Sequence, residues 1–419
     1  MKTRKFTRRQ AIAATSAGLF GSMLNLSFRP FEINTPRQMG KLAINGGEKA
    51  HKGSWPEWPV WDRSAEPGIL EMFRTGRWWR GRGEHVVEFE NKYAAIMGAK
   101  RCLATASGTT ALITAMHVLG VDAGDEVLVS PYTFIATYNS IFSLKALPVF
   151  VDSDPETFLI DPGKIEERIT DRSVAIIPVH IYGLPVDMDS VNKIAKAHNL
   201  KVIEDACQAW LAEYKGKKTG TLADLGCFSF QNSKHLPSGE GGAILGNDDD
   251  IMDRCNAFHN CGRPFGNMKR VPGIPHHGMN FRMQQSQALI LMSQMNRFMK
   301  DNDIRHDNAL YLDKRLKEIP GIVPYKLADG ATRAVYHLYP FRYIKEQFNN
   351  IPKDKFIDAL NAEGIPCSGG YGKQNKDGLI DEVLNSRGYK RIYSESRLRQ
   401  WREQNVLPGN DQLCDQAVA

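Results

Sequence analysis

From Lys100 to about Asn247 the chain alternates apolar runs of strand length with amphipathic stretches of helical spacing, and nothing else in it constrains the fold as strongly. Arg101–Ala106 reads as strand, Thr109–Leu119 as helix, Glu126–Ser130 as strand, Phe134–Leu144 as helix and Leu147–Val151 as strand. Ile165 opens a further helix, Val174–Ile181 is a long apolar strand, Val191–His198 is helix and Val202–Glu204 is strand again. Repeated βαβ units predict an α/β fold with a mostly parallel sheet between helices. In such sheets ligands bind beyond the carboxyl ends of the strands, so the chemistry is expected there.

The unusual residues fall at those ends. After the first strand, Ser107-Gly108-Thr109-Thr110 opens a helix, leaving backbone N–H groups and the helix dipole to face a phosphate; the same residues also make an ordinary helix cap. Pro131-Tyr132-Thr133-Phe134 follows the second strand and offers either an aromatic face to a ligand or a core phenylalanine. Asp205-Ala206-Cys207-Gln208 ends the strand that begins at Lys201. An acid there is either a cap or a buried charge in need of a cation, such as a protonated pyridine nitrogen. Ser229 supplies another hydroxyl, and Lys234 stands in a mostly uncharged segment, Phe228 to Gly242, that ends in glycines. A lone lysine is ordinarily a surface residue, but a desolvated one loses its proton more readily and condenses with a carbonyl as a Schiff base. A phosphate cradle, a ring stacker, an acid for a ring nitrogen and a Schiff-base lysine together fit pyridoxal phosphate.

With 419 residues the chain has room for two domains. A formal charge of +7 spread along the chain, with 24% charged residues, gives no concentrated basic patch and argues against nucleic acid as a partner. The seven cysteines match neither a zinc site nor a disulfide framework and are expected to be mostly buried thiols; no metal site is expected. Residues 1–40 carry a basic head with Thr7-Arg8-Arg9-Gln10 and a mildly apolar run from Ala11 to Phe28, the outline of a twin-arginine export signal; a basic extension of a cytoplasmic protein is the alternative. Trp55-Pro56-Glu57-Trp58-Pro59 cannot be helical and reads as an extended arm, and Arg77-Trp78-Trp79-Arg80-Gly81 reads as an interface loop or an anion site. Val86–Met97 has helical spacing. From about Arg297 the chain changes character: a charged helix over Asp301–Leu316, strands at Ile322-Val323-Pro324, Tyr336–Tyr343 and from Ile365, hence a smaller α+β domain over 297–419 after a large domain over 41–296. Tyr336, His337 and Tyr371 are candidates there for facing a substrate.

Several longer blocks resemble the DegT/StrS-type sugar aminotransferases, which are pyridoxal-phosphate enzymes of fold type I. They are Ser107-Gly108-Thr109 with Ala111-Leu112, Pro131 with Thr133-Phe134-Ile135-Ala136, Pro178 through Met188, Glu204-Asp205-Ala206-Cys207-Gln208-Ala209, Lys234 through Gly242, and Gly278 through Met283. The resemblance implies that Lys234 forms the Schiff base and carries the proton. Asp205 would hold the ring nitrogen and Gln208 the ring hydroxyl, while Phe134 stacks on the ring. Gly108, Thr109 and Ser229 would hold the phosphate. Asn280 would reach the phosphate of a second subunit, which implies a homodimer with shared active sites. Leu42 through Gly47, the Trp-Pro arm, Ser229-Phe230-Gln231 and Gly369-Gly370-Tyr371 look most like the branch that includes glutamine:scyllo-inosose aminotransferases and 3-amino-5-hydroxybenzoate synthase. By analogy the amino donor is glutamine or glutamate and the acceptor a keto-sugar or keto-cyclitol. Sugar dehydratases of the family carry histidine at the lysine position, so Lys234 favours transamination over dehydration, and a non-catalytic cofactor-binding paralogue is the other alternative. Three departures stand out: the export signal, Ala209-Trp210-Leu211 in place of Ala-His-Gly, and an end at Ala419 that the resemblance reads as either a gene cut short or a reduced small domain.

Overall fold

A computed structural model describes residues 40–419, so the Arg8-Arg9 motif lies outside the described residues. Helices α1 (Glu66–Thr75) and α2 (His85–Met97) precede β1 (Arg101–Thr105), and α3 (Gly108–Val118), β2 (Glu126–Val129), α4 (Ala136–Ser143) and β3 (Leu147–Phe150) follow. Next come β4 (Ser173–Ile177), α5 (Met188–Ala197) and β5 (Lys201–Asp205), then a hairpin of β6 (Glu213–Tyr214) and β7 (Lys217–Lys218), and finally β8 (Leu225–Ser229) and β9 (Gly242–Gly246). Seven strands form one sheet in the order β1-β9-β8-β5-β4-β2-β3. All neighbours are parallel except β9, which runs against both β1 and β8. Val127, Leu128 and Val129 are fully buried, as expected of central strands covered on both faces. Helix α5 shows the complementary pattern: Met188, Val191 and Ala195 face the core, and Asp187 caps the helix by accepting from the Ser190 N–H.

The register decides what meets at the carboxyl edge. Asp205 of β5 lies opposite Cys227 of β8, and Gly242 at the start of β9 pairs with both Thr105 of β1 and Ser229 of β8. A side chain at Gly242 would collide with the Ser107 carbonyl, so β9 draws the Ser107-Gly108 turn up to Ser229 although their strands are not adjacent.

Several predicted elements differ. The helix expected from Ile165 is two short 3-10 turns, Pro162–Lys164 and Glu166–Arg168, because Pro162-Gly163 and the β-branched Ile165, Ile169 and Thr170 leave too little helix-forming sequence. The strand expected to reach Ile181 stops at Ile177, before Pro178, which has no N–H for the ladder. The strand expected over Tyr336–Tyr343 is reduced to β12 (below), since Tyr336 has a positive φ of 55° and Pro340 precedes it.

Helix α6 (Asp249–His259) is followed by α7 (Gln285–Leu316), which begins well before Asp301 and is about 48 Å long. Beyond it β10 (Ile322–Pro324) pairs with β12 (Phe341–Tyr343), and β11 (Ala331–Arg333) joins the β6–β7 hairpin. No strand forms from Ile365, a stretch that contains Pro366 and the positive-φ Gly370. The last strand, β13 (Ala417–Val418), pairs with Phe341 and Arg342 of β12. Leu316, Ile322, Phe341, Tyr343 and Val418 make a small core there, with Phe356 of α8 (Lys353–Ala362) packed on it. Residues 378–413 pack instead on the large core: the Tyr389 hydroxyl donates to the Ala146 carbonyl at 2.7 Å, the Trp401 indole to the Pro148 carbonyl at 2.6 Å, and Arg397 pairs with the buried Glu126 at 2.6 Å.

Candidate active site

Asp205 ends β5 with 4% exposure. One carboxylate oxygen accepts from the Thr137 hydroxyl at 2.8 Å and the other from the Cys207 N–H at 3.2 Å. Thr137, at the start of α4, is itself linked to Thr133 at 2.8 Å. Among the described residues Asp205 has no ion-pair partner within 4.0 Å. A buried carboxylate held this way is costly without a cation, and a protonated pyridine nitrogen supplies one. Phe134 sits between Thr133 and Thr137 in the same turn, and its ring is 55% exposed, free to cover a ligand.

Immediately after Cys207, the Gln208 side chain accepts from the Tyr182 N–H at 2.9 Å and donates to the Tyr371 hydroxyl at 2.8 Å. Tyr371 stacks on Tyr182 at 5.6 Å, and the Tyr182 and Tyr132 hydroxyls lie 3.0 Å apart. Gly370 fits here because an added Cβ would lie 2.5 Å from the Tyr132 hydroxyl. Of the three candidates from the second half of the chain, Tyr371 therefore joins the site. His337 does as well, from beside Lys234. Tyr336 does not: its hydroxyl bonds that of Tyr325, and its ring packs with Tyr325 and Tyr339.

At the phosphate end Ser107 caps α3 by accepting from the Thr110 N–H while the Thr110 hydroxyl accepts from the Ser107 N–H. Gly108 and Thr109 are the first two helical residues, whose N–H groups have no acceptor inside the helix. A Cβ on Gly108 would lie 2.8 Å from the Ser229 Cβ and 2.9 Å from the Cys207 sulfur, so glycine keeps this cradle open and brings Gly108, Ser229 and Cys207 together. The donor set suits a phosphate, and with Asp205 and Lys234 it fits pyridoxal phosphate.

Lys234 lies on a turn sewn to itself by Phe230 N–H to Gly241 O and Ser238 N–H to Phe230 O, both at 2.8 Å, above the buried Phe230 and Leu236. The Trp58 indole of the N-terminal arm donates to the Lys234 carbonyl at 3.1 Å. The Lys234 Nζ is 5.9 Å from the centre of the fully buried Trp210 ring. Burial lowers its pKa below the ordinary 10.5, although Cys207 and Asp205 pull the other way. The neutral amine is thereby made more available, as the reactive role requires.

Asn280 is not brought to this centre. It is exposed and forms a bridge with Asn260, while the next residue, Phe281, accepts from the Ala106 N–H at 2.7 Å beside β1. The Arg77–Gly81 loop also lies elsewhere: Arg80 grips Glu90 through two contacts of 2.5 and 2.9 Å, and Trp79 faces Arg282. All seven cysteines are free; Cys227, Cys255 and Cys414 are buried and the other four half-buried, fewer than expected. Thr137 and Trp58 were not foreseen. The i,i+4 spacing of Thr133 and Thr137 is a signal that would have found the first.

Residues 64–386 match the DegT/DnrJ/EryC1/StrS aminotransferase family. The chain belongs to that family. It is 35% identical over 343 residues to an L-glutamine:2-deoxy-scyllo-inosose aminotransferase of Streptomyces fradiae, covering 79% of this chain and 81% of that protein. The enzyme of the same name from Micromonospora echinospora is 32% identical over 363 residues, 83% of this chain and 86% of its own length. Among solved structures, 3-amino-5-hydroxybenzoic acid synthase superposes with a TM-score of 0.77 at 29% identity, covering 87% of this chain and 92% of that one. NtdA of Bacillus subtilis, solved with its cofactor PMP bound, superposes with a TM-score of 0.68 at 26% identity, covering 85% and 76%. The protein is thus a fold type I aminotransferase, and its cofactor is pyridoxal 5'-phosphate.

Proposed function

We propose that this aminotransferase carries an amino group from glutamine or glutamate to a keto-cyclitol or a related keto-sugar. The observation that carries the reading is a depressed, half-buried Lys234 on the same sheet edge as a hydrogen-bonded Asp205 and the Gly108–Ser229 cradle. When bound, pyridoxal phosphate supplies an electron sink for loss of a proton from the carbon that bears the amino group. Asp205 is placed to keep a ring nitrogen positively charged, with Thr137 and the Cys207 N–H fixing its orientation. Gly108, Thr109 and Ser229 hold the phosphate, and the Lys234 Nζ takes and returns the proton. The names of the relatives support the donor and the cyclitol acceptor.

Incubation of the cofactor-loaded protein with L-glutamine and scyllo-inosose, with amino-cyclitol read by mass spectrometry, tests this: product is expected from wild type and none from Lys234→Ala. Cofactor binding with no product from any keto-sugar or keto-cyclitol would support a non-catalytic paralogue instead. We also propose that two copies assemble. The exposed Asn280 and the exposed aromatics Trp61, Phe73, Trp78 and Trp79 support this, and light scattering should give twice the chain mass. For localisation we propose twin-arginine export, supported by Arg8-Arg9; changing both to lysine should hold the protein in the cytoplasm.

A further inference from the structure

The segment that carries Tyr371 reaches the Asp205 side of the site twice. Tyr371 meets Gln208, and three residues on the Gln374 side chain donates to the Thr133 carbonyl at 2.6 Å. Gln374 is buried and opens a 3-10 turn, Gln374–Lys376. That turn is braced through its next residue. The side chains of Asn375 and Asn405 donate to each other's backbone carbonyls at 3.3 and 3.0 Å, and the Asn410 side chain donates to that of Asn375 at 3.2 Å. Asn410 in turn gives its backbone N–H to the buried Asp152 at 2.7 Å. Gln374 therefore holds Thr133 from a fixed point.

What hangs on Thr133 is the acid. The Thr137 hydroxyl has one hydrogen, and it goes to Asp205, so in its 2.8 Å contact with the Thr133 hydroxyl it is Thr133 that donates. The hydrogen bonds run one way, from Thr133 to Thr137 to Asp205, and all three side chains are buried. Phe134 follows Thr133 directly, so the backbone that Gln374 grips also carries the exposed ring. A backbone carbonyl that loses a buried donor must find another or bear the cost of desolvation. The Thr133 turn can meet that cost only by shifting, and the hydroxyls and the ring shift with it.

We propose that Gln374 is a positioning residue of the cofactor site: by gripping the Thr133 carbonyl it sets the hydroxyl chain that orients Asp205 and the place of the Phe134 ring. Its action runs entirely through Thr133. This deepens the proposed function and rests on Asp205 and Phe134 being groups that meet pyridoxal phosphate.

The test is calorimetric titration of the cofactor-free protein with pyridoxal phosphate, in wild type, Gln374→Met, Thr133→Val and Trp401→Phe. Gln374→Met keeps the length of the side chain and loses the amide, and Thr133→Val keeps the turn and breaks the hydroxyl chain. Trp401→Phe is the control: it removes another buried side-chain donor from a backbone carbonyl, that of Pro148 in β3, at the edge of the sheet. Gln374→Met and Thr133→Val should each bind the cofactor about 10-fold more weakly, and Trp401→Phe within about twofold of wild type. The double variant Gln374→Met/Thr133→Val should lose little more than either single one, because both act along one chain of contacts. In the loaded Gln374→Met protein kcat should fall about 10-fold while KM for L-glutamine stays within about threefold. Wild-type affinity in Gln374→Met overturns the proposal, as do fully additive losses in the double variant or an equal loss in Trp401→Phe, which would mark a general loosening of the fold. Should Gln374→Met not fold, wild-type affinity in Thr133→Val overturns it alone. A wild type that binds pyridoxal phosphate but turns over no amino donor would defeat the aminotransferase reading and leave the affinity comparison to decide this one.

Discussion

The two sides of Lys234 are built on opposite principles. On the Asp205 side nearly every polar group has a partner within the chain: Thr133 to Thr137 to Asp205, Cys207 N–H to Asp205, Tyr182 N–H to Gln208, and Gln208 to Tyr371. On the Trp210 side the Arg305 Nη1, His337 Nδ1 and Trp210 Nε1 are buried and unmatched among the described residues. A satisfied network is rigid before anything binds and suits a resident cofactor, whereas an unsatisfied one gains most when a ligand arrives and suits a substrate that comes and goes.

The largest effect should come at the junction of the two sides. Lys234→Ala is expected to lower turnover by about 10³-fold or more, because it removes the proton carrier, while leaving the thermal midpoint nearly unchanged. Turnover within tenfold of wild type would show that the junction is not at Lys234. Next comes Gly108→Ala, which pushes a methyl toward Ser229 and Cys207 and should weaken cofactor affinity by about 10- to 100-fold, measured by titrating the cofactor-free protein.

A paired substitution sharpens the contrast. Thr137→Val removes a donor from a buried carboxylate and should cost about 1–3 kcal/mol of unfolding free energy in urea. Arg305→Met removes an unmatched group of similar shape and should cost under about 0.5 kcal/mol in the cofactor-free protein, or even stabilise it. Equal losses would erase the distinction drawn between the two sides.

The last effect is one of pH. His235 and His337 are both depressed below 6.5 by burial; Arg305 and the other histidine add to this for His235, and Lys234 and Arg305 for His337. The unfolded chain therefore takes up these protons first as pH falls. Their contribution to stability is intact above pH 6.5 and is lost below it. The expected slope is about 1.4 kcal/mol per pH unit for each histidine, and His337→Gln should remove one histidine's share. An unchanged slope would place the protonation elsewhere.

The sequence read as far as local chemistry reaches. Apolar periodicity placed β1 to β5 of the large sheet to within a few residues, and Gly108, Asp205 and Ser229 stood out as candidate site residues in plain view. It read less well where tertiary contact decides. The helix expected from Ile165 and the strand expected from Ile365 did not form, since both stretches carry proline and glycine where the pattern needed backbone hydrogen bonds. The start of α7 at Gln285 was hidden because its first half is apolar and its second half charged, which reads as two segments. Trp58 is far from Lys234 along the chain, and no local pattern could join the two. Trp210 was visible as an oddity, but its place beside Lys234 and His337 was not.

The most direct test of the central claim is the visible absorption of the cofactor-loaded protein before and after L-glutamine, with Lys234→Ala beside it. A depressed lysine serving as amine and proton carrier predicts a cofactor band in wild type that glutamine or glutamate removes, and a shifted band in the variant that neither removes. A wild-type band that no amino donor changes, or a variant that responds as wild type does, would contradict it.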